Sequence, residues 1–247
     1  MKRTIFAIVP AAGLGRRFDA SRKKTFHALN DVPLLVHTLR RLHTEEAVSE
    51  IIPVLREQDI ERGTGMISSY QFSKIKNIIP GGRERQDSIN NALMFLHEER
   101  FELLQDSIIL VHDGVRPIIP EGTIEALIQS VQDADGAVPG IPPKDTLKRV
   151  GNKGIVISTI NRDEIRAIQT PQAFPFTVLK KAYELAYRDN FYATDDAALV
   201  ERMGGTVKVI EGSPSNIKIT TPEDLEMVEY ILNKPLARTG RHISINE

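Results

Sequence analysis

The sequence predicts a doubly wound α/β fold, a mostly parallel sheet flanked by helices. Three observations predict it. Short β-branched apolar runs recur along the 247 residues and end at Gly, Pro or Asp. Stretches of helical period lie between them, which is the signature of βαβ units. No apolar stretch reaches the roughly 20 residues of a membrane span, so the runs read as buried strands.

The first run is TIFAIVP, residues 4–10. The segment MKRTIFAIVPAAG starts basic and then apolar, as a signal peptide does. Its apolar part, about six residues, is shorter than the usual 7–15, and it reads better as a buried first strand. SEIIPVL, KIKNIIP, SIILVH and GAVPGI are the later runs. Leu35, Leu39 and Leu42 mark a helix after the first strand, and Ile124, Leu127, Ile128 and Val131 mark another. Leu225, Val228 and Leu232 mark a last helix, with Thr221 as its N-cap and Pro222 at its first position. One segment breaks the alternation. DTLKRV-GNKG-IVISTI, residues 145–160, reads as a β-hairpin. Its apolar residues Leu147, Val150, Ile155 and Ile157 need a partner surface. We read it as an arm that packs on a second subunit; the other reading is an edge hairpin lying on its own domain. A single domain over residues 1–234, with the arm at 142–162 and a peripheral tail at 235–247, is expected.

Composition narrows the function. The net charge of -1 argues against a nucleic-acid binder. No cysteine is present, so thiolate chemistry, disulfides and Cys-based metal sites are excluded. A cytoplasmic protein is expected. Basic residues are concentrated locally, which suits small anionic ligands.

In a doubly wound sheet, ligands bind beyond the carboxyl ends of the strands. The loop after the first strand is PAAGLGRRFDASRKKTF. Ala11, Ala12, Gly13 and Gly15 have almost no side chains, so backbone N–H groups can approach an oxygen-rich ligand. Arg17 and Lys24 follow, and could clamp a triphosphate. PGGRERQDS supplies a second permissive loop with Gly81 and Gly82, and Ser88 either caps the following helix or serves a ligand. VHDGVRP places Asp113 at a strand end, suited to a ribose hydroxyl or Mg²⁺, with Arg116 facing the same crevice and His112 structural. The second half adds Lys144, Thr146, Lys148 and Arg162 on or beside the arm, Thr170 before a proline, and Thr194 as a helix cap with Asp195 and Asp196 in the first turn. Lys218 sits in the apolar run NIKIT, as an edge-strand gatekeeper or aimed at an anion. Cations in both halves suggest two phosphate-bearing ligands. No Ser-His-Asp set or carboxylate pair stands out, and transfer to a phosphate monoester needs none. Its second pKa is near 6, so it is already a nucleophile at neutral pH.

In chain order, PAAGLGRRF, GGRERQDSINNAL, VHDGVRP, DTLKR, QTPQAF, TDDAALVERMGG and NIKITTPEDL resemble the 2-C-methyl-D-erythritol 4-phosphate cytidylyltransferase family of non-mevalonate isoprenoid synthesis. The resemblance runs from Ala7 to about Ile231. It implies a Rossmann-like nucleotidyltransferase fold that dimerises through the arm. It implies CTP and Mg²⁺, attack of the 4-phosphate on the α-phosphorus, and departure of pyrophosphate. Arg17 and Lys24 fall on the family's transition-state pair. Ala11, Ala12, Gly13, Gly15, Lys24, Gly82 and Ser88 fall on nucleotide positions. Asp113, Arg116, Thr146, Arg162, Thr194 and Lys218 fall around the methylerythritol phosphate, with Arg162 and Lys218 on its phosphate and the arm residues borrowed from the partner subunit. Two departures stand out. Lys23-Lys24-Thr25-Phe26 replaces the family's Pro-Lys-Gln-aromatic, and Gly114-Val115 replaces Ala-Ala. Pentitol-phosphate cytidylyltransferases acting on ribitol 5-phosphate look similar over the same loops and are the alternative; the region from DTLKR to Arg162 discriminates. A non-catalytic nucleotide or sugar-phosphate sensor is a second alternative, disfavoured because Arg17 and Lys24 are both present.

Overall fold

β1 (Ile5–Pro10) is apolar on both faces and buried along all but its last residue, the pattern of a central parallel strand. It pairs in parallel with β4 (Glu50–Leu55) on one side and with β6 (Ile108–Val111) on the other. This computed structural model describes residues 3–13 and 24–234, without the side chain of Lys24. Between β1 and β4 lie the two-residue strands β2 (Ala28–Leu29) and β3 (Val32–Pro33) and helix α1 (Leu34–Thr44). α2 (Ile60–Ser69) leads to β5 (Ile79–Pro80), which pairs with β4. α3 (Arg85–Glu99) and the short α4 (Phe101–Leu104) lead to β6, and α5 (Thr123–Ser130) leads to β7 (Gly136–Ile141).

The chain then leaves the sheet. β8 (Lys148–Val150) and β9 (Val156–Thr159) form a separate antiparallel hairpin. Val150, Ile155, Val156 and Ile157 on it are 53–66% exposed. The hairpin is therefore an arm, and not a ribbon laid on its own sheet. β10 (Ala167–Ile168) and β11 (Gln172–Pro175) return antiparallel to β7, and β11 wedges between β7 and β6. α6 (Phe176–Arg188) and α7 (Asp196–Arg202) precede β12 (Val207–Glu211), which runs parallel to β7. α8 (Pro222–Asn233) closes the described chain. The strand order is β5-β4-β1-β6-β11-β7-β10, with β12 also paired to β7, and all strands are parallel except β10 and β11.

Side-chain alternation builds two cores, one on each face. Phe6 and Ile8 of β1, Ile109 and Val111 of β6, and Phe174 of β11 face α3, α6 and α7. Ile5, Ala7 and Val9 of β1, with Ile108 and Leu110 of β6, face α1, α2 and α5. A third cluster seats α8: Val228 packs with Leu29, Leu34 and Ile219, against Val115 and Ile217.

Several expectations are corrected. KIKNIIP supplies only Ile79–Pro80 as a strand, with a single bridge from Ile75 to Ile51. The run around Lys218 is irregular backbone and not an edge strand. Sequence reasoning missed β10, β11 and β12. The last helix holds as read: Thr221 caps it and Pro222 opens it.

Candidate active site

The carboxyl ends of β1, β4, β5, β6, β7 and β12 share one edge of the sheet, and the amino end of antiparallel β11 joins them. β1 lies where the strand order reverses, so the crevice is flanked by the loops after β1, β4 and β6.

On the nucleotide side, the loop after β1 is tied down by its backbone. Ala11 N–H donates to Val54 O at 2.8 Å, Thr25 Oγ1 donates to Ala11 O at 3.2 Å, and Arg56 Nε donates to Ala12 O at 2.8 Å. The departure at Thr25 thus anchors the segment behind Lys24 against Ala11. The aromatic after it, Phe26, carries the Arg62 guanidinium 4.3 Å from its ring centre. Gly15 and Arg17 lie outside the described residues, and so does Lys23. A Cβ on Gly81 would fall 2.5 Å from that of Ala12 and 3.0 Å from Ser88 Oγ, so these three residues are in direct packing. Ser88 Oγ accepts from Gly82 N–H at 3.1 Å and donates to Glu84 O at 3.1 Å. Ser88 is therefore no cap. α3 begins at Arg85, with Glu84 as N-cap and Asp87 completing a capping box. Tyr187 and Tyr192 also donate to Asp87, at 2.7 and 2.9 Å.

On the other side, Asp113 follows β6 and is 5% exposed. Its Oδ1 faces Arg85 Nε at 3.5 Å, and its Oδ2 faces Lys218 Nζ at 3.0 Å and Arg116 Nε at 3.2 Å. Burial alone would raise its pKa; Arg85, Lys218 and Arg116 outweigh burial and hold it well below the usual carboxylate range. Arg116 also donates to Asn216 O at 2.8 Å, and so ties the loop after β6 to the one that carries Lys218.

His112 supports this turn. It is fully buried, with Nε2 2.9 Å from Arg116 O and Nδ1 3.0 Å from Thr170 Oγ1. Arg116 O can only accept, so Nε2 donates to it; Thr170 Oγ1 accepts the Asp113 N–H at 3.1 Å and its own proton is left for Nδ1. The ring therefore carries its proton on Nε2 and is neutral. Burial lowers its pKa to about 4. Thr38 Oγ1 donates to Gly114 O at 3.2 Å from α1. A Cβ at Gly114 would lie 3.0 Å from that of Ala11, so the glycine lets the two loops approach.

The structure brings together Ala11, Ala12, Gly82 and Ser88 on one side, and Asp113, Arg116 and Lys218 on the other. Gly13 ends the described part of the first loop. Thr194 is exposed, and the cap of α7 is its neighbour Asp195, which accepts from Ala198 N–H at 3.1 Å. Thr146 and Arg162 are exposed at the arm, and Arg162 donates to Lys144 O at 3.1 Å. Among the described residues no hydrogen bond or ion pair joins either to Asp113. Sequence reasoning missed Arg85 and Asp196. Their signal was present in GGRERQDS and TDDAAL, but Arg83 and Arg85 are indistinguishable until the start of α3 is fixed.

No group of three His, Asp or Glu that could hold a metal exists among the described residues. Both oxygens of Asp113 face cations, so the described residues of the crevice do not form a preformed Mg²⁺ cage. A cavity of about 410 Å³ opens at the opposite end of the sheet, but Asp106, Asp133 and Asp135 line it, the wrong sign for a triphosphate.

The comparisons decide the family. The model for IspD: 2-C-methyl-D-erythritol 4-phosphate cytidylyltransferase matches residues 5–234. The chain belongs to this family. A relative from Syntrophus aciditrophicus bearing the same description is 42% identical over 239 residues, 96% of this chain and 100% of the relative. One from Bacillus cytotoxicus is 41% identical, over 92% and 96% of the two chains. The crystal structure of a 4-diphosphocytidyl-2C-methyl-D-erythritol synthase from Anaerococcus prevotii superposes with a TM-score of 0.79 at 30% identity, covering 95% of this chain and all of that one. As a member, the chain is a nucleotidyltransferase with a Rossmann-like sheet, and CTP is its co-substrate.

Proposed function

We propose that the crevice beyond β1, β5 and β6 is where CTP and 2-C-methyl-D-erythritol 4-phosphate meet. The reaction is the family's: the 4-phosphate oxygen attacks the α-phosphorus, the bond to the bridging oxygen breaks, and pyrophosphate leaves with 4-diphosphocytidyl-2-C-methyl-D-erythritol as the product. The observation that carries the reading is the convergence of Lys218 and Arg116 on Asp113, next to the Ala-Gly loop. Ala11, Ala12, Gly13, Gly15, Gly82 and Ser88 cradle the nucleotide. Arg17 and Lys24 take up charge on the transferring phosphate. Asp113, Arg116, Thr194 and Lys218 hold the acceptor.

No general base is needed, because the phosphate monoester is a dianion at neutral pH. Catalysis is positioning plus charge stabilisation. Mg²⁺, if carried by the triphosphate itself, would neutralise part of its charge and leave the rest to Arg17 and Lys24. The exposed arm supports a homodimer in which each site borrows Thr146 and Arg162 from the partner subunit. We read residues 1–234 as one nucleotidyltransferase domain, 235–247 as a tail, and the cytoplasm as the place of action.

The relatives favour methylerythritol phosphate over a pentitol phosphate. Pyrophosphate release with CTP and Mg²⁺, compared between methylerythritol 4-phosphate and ribitol 5-phosphate, tests the acceptor. Release with the first alone is expected; release with the second alone would hand the acceptor site to the rival. Lys24→Ala is expected to lower turnover far more than CTP affinity, and unchanged turnover would remove Lys24 from the reacting phosphate.

A further inference from the structure

We propose that Arg85 is a positioning residue for the acceptor half of the site, acting through Asp113 to leave Lys218 available to the incoming phosphate. The inference rests on the reading of Asp113 and Lys218 given above.

Arg85 is the first residue of α3, the helix that also carries Ser88 on the nucleotide side. Its side chain crosses to the other side. Nη2 lies 2.6 Å from Asp196 Oδ2 and Nε 3.5 Å from Asp113 Oδ1. Asp196 is 1% exposed and is fixed from behind by Tyr183 OH at 2.6 Å. One guanidinium therefore joins α3, the loop after β6 and the start of α7. Burial works against its charge, and Asp196 and then Asp113 more than offset this, raising its pKa.

The division of Asp113 gives Arg85 its role. Oδ1 belongs to Arg85, while Oδ2 is shared by Arg116 and Lys218. Of the three cations, Lys218 is the most exposed, with 41% of its side chain accessible against 29% for Arg85 and 10% for Arg116. It is the one placed to exchange a carboxylate for a phosphate dianion. The exchange takes a counter-ion from a buried carboxylate, which is costly unless others remain. With Arg85 and Arg116 in place, Asp113 stays compensated when Lys218 turns away. Without Arg85, Asp113 and the phosphate compete for the same ammonium group.

Removing Arg85 alone leaves Asp196 buried without the counter-ion it has here, so the test is made in an Asp196→Asn background. In that background Arg85→Gln is expected to raise the KM for methylerythritol 4-phosphate about tenfold and to leave the KM for CTP unchanged. When Asp113→Asn is added, the same Arg85→Gln change is expected to have no further effect on the acceptor KM, because Lys218 no longer has a carboxylate to serve. A rise of both KM values together, or an equal effect with and without Asp113, would overturn the proposal and make Arg85 a structural strut. Lys218→Ala separates the two levels. If it leaves the acceptor KM unchanged, the acceptor assignment itself fails; if it raises that KM while Arg85→Gln does not, only the role of Arg85 fails.

Discussion

His112 shows how much of this site is held by a residue that touches neither substrate in the proposed scheme. Its two nitrogens brace the turn on both sides of Asp113, and burial keeps the ring neutral. The folded-state pKa, about 4, lies below the ordinary value near 6.5. Between these values the unfolded chain binds a proton that the folded chain refuses, so stability falls as pH falls through this window. The loss is expected to be about 3 kcal/mol between pH 6.5 and 4. Denaturant unfolding followed across that range checks it, and a flat profile would contradict the neutral imidazole. Thr170→Val removes the acceptor of the Asp113 N–H and the donor to Nδ1 at once. It is expected to cost about 1–3 kcal/mol in unfolding free energy, with Thr170→Ser close to the parent. The meeting of Asp113 and Arg116 at the end of β6 was legible in the sequence because residue type and strand-end position together point to the crevice. Arg85, Asp196 and Thr170 were not, because their roles come from hydrogen bonds across more than 50 residues of chain.

At the level of elements, the sequence reading was most secure where burial is complete on both faces, as in β1, β4, β6 and β7. It failed where a cue was split between neighbours. Ser88 is a better cap by type than Glu84, so the pattern placed the start of α3 too late, while the capping box with Asp87 starts the helix at Arg85. Thr194 and Asp195 can both cap α7, and only the bond to Ala198 N–H decides between them. No residue of β12 is buried, and Lys208 and Glu211 interrupt its apolar residues, so it lacks a continuous apolar run. The start of α3 also bears on binding. A Cβ at Gly82 would fall 2.2 Å from that of Asp87, so Gly82→Ala must displace the loop or the first turn. The clash is expected to raise the KM for CTP and to cost about 1–3 kcal/mol of stability. Steady-state kinetics and thermal unfolding check both, and an unchanged CTP KM would separate this loop from the nucleotide.

For the molecule as a whole, the arm is the feature that one chain cannot explain. Three consecutive apolar residues, Ile155, Val156 and Ile157, are more than half exposed on a two-stranded ribbon, which is marginal alone in water. Ile155→Asp combined with Ile157→Asp is expected to turn a dimer into a monomer in sedimentation at micromolar concentration, and to abolish most turnover with the loss of Thr146 and Arg162 from the neighbouring site. A parent protein that sediments as a monomer would sink the dimer.

The wedge made by β11 has a consequence for how the chain comes off the ribosome. β1, β4, β5 and β6 are all synthesised by Val111, yet the sheet neighbour of β6 on its other side is β11, which begins at Gln172. A nascent chain stalled between these points carries β6 with a bare apolar edge, open to pairing with another copy. Translation of the middle third is thus the interval in which that edge stays open, and a chain truncated there is expected to aggregate instead of folding as a small nucleotide-binding domain.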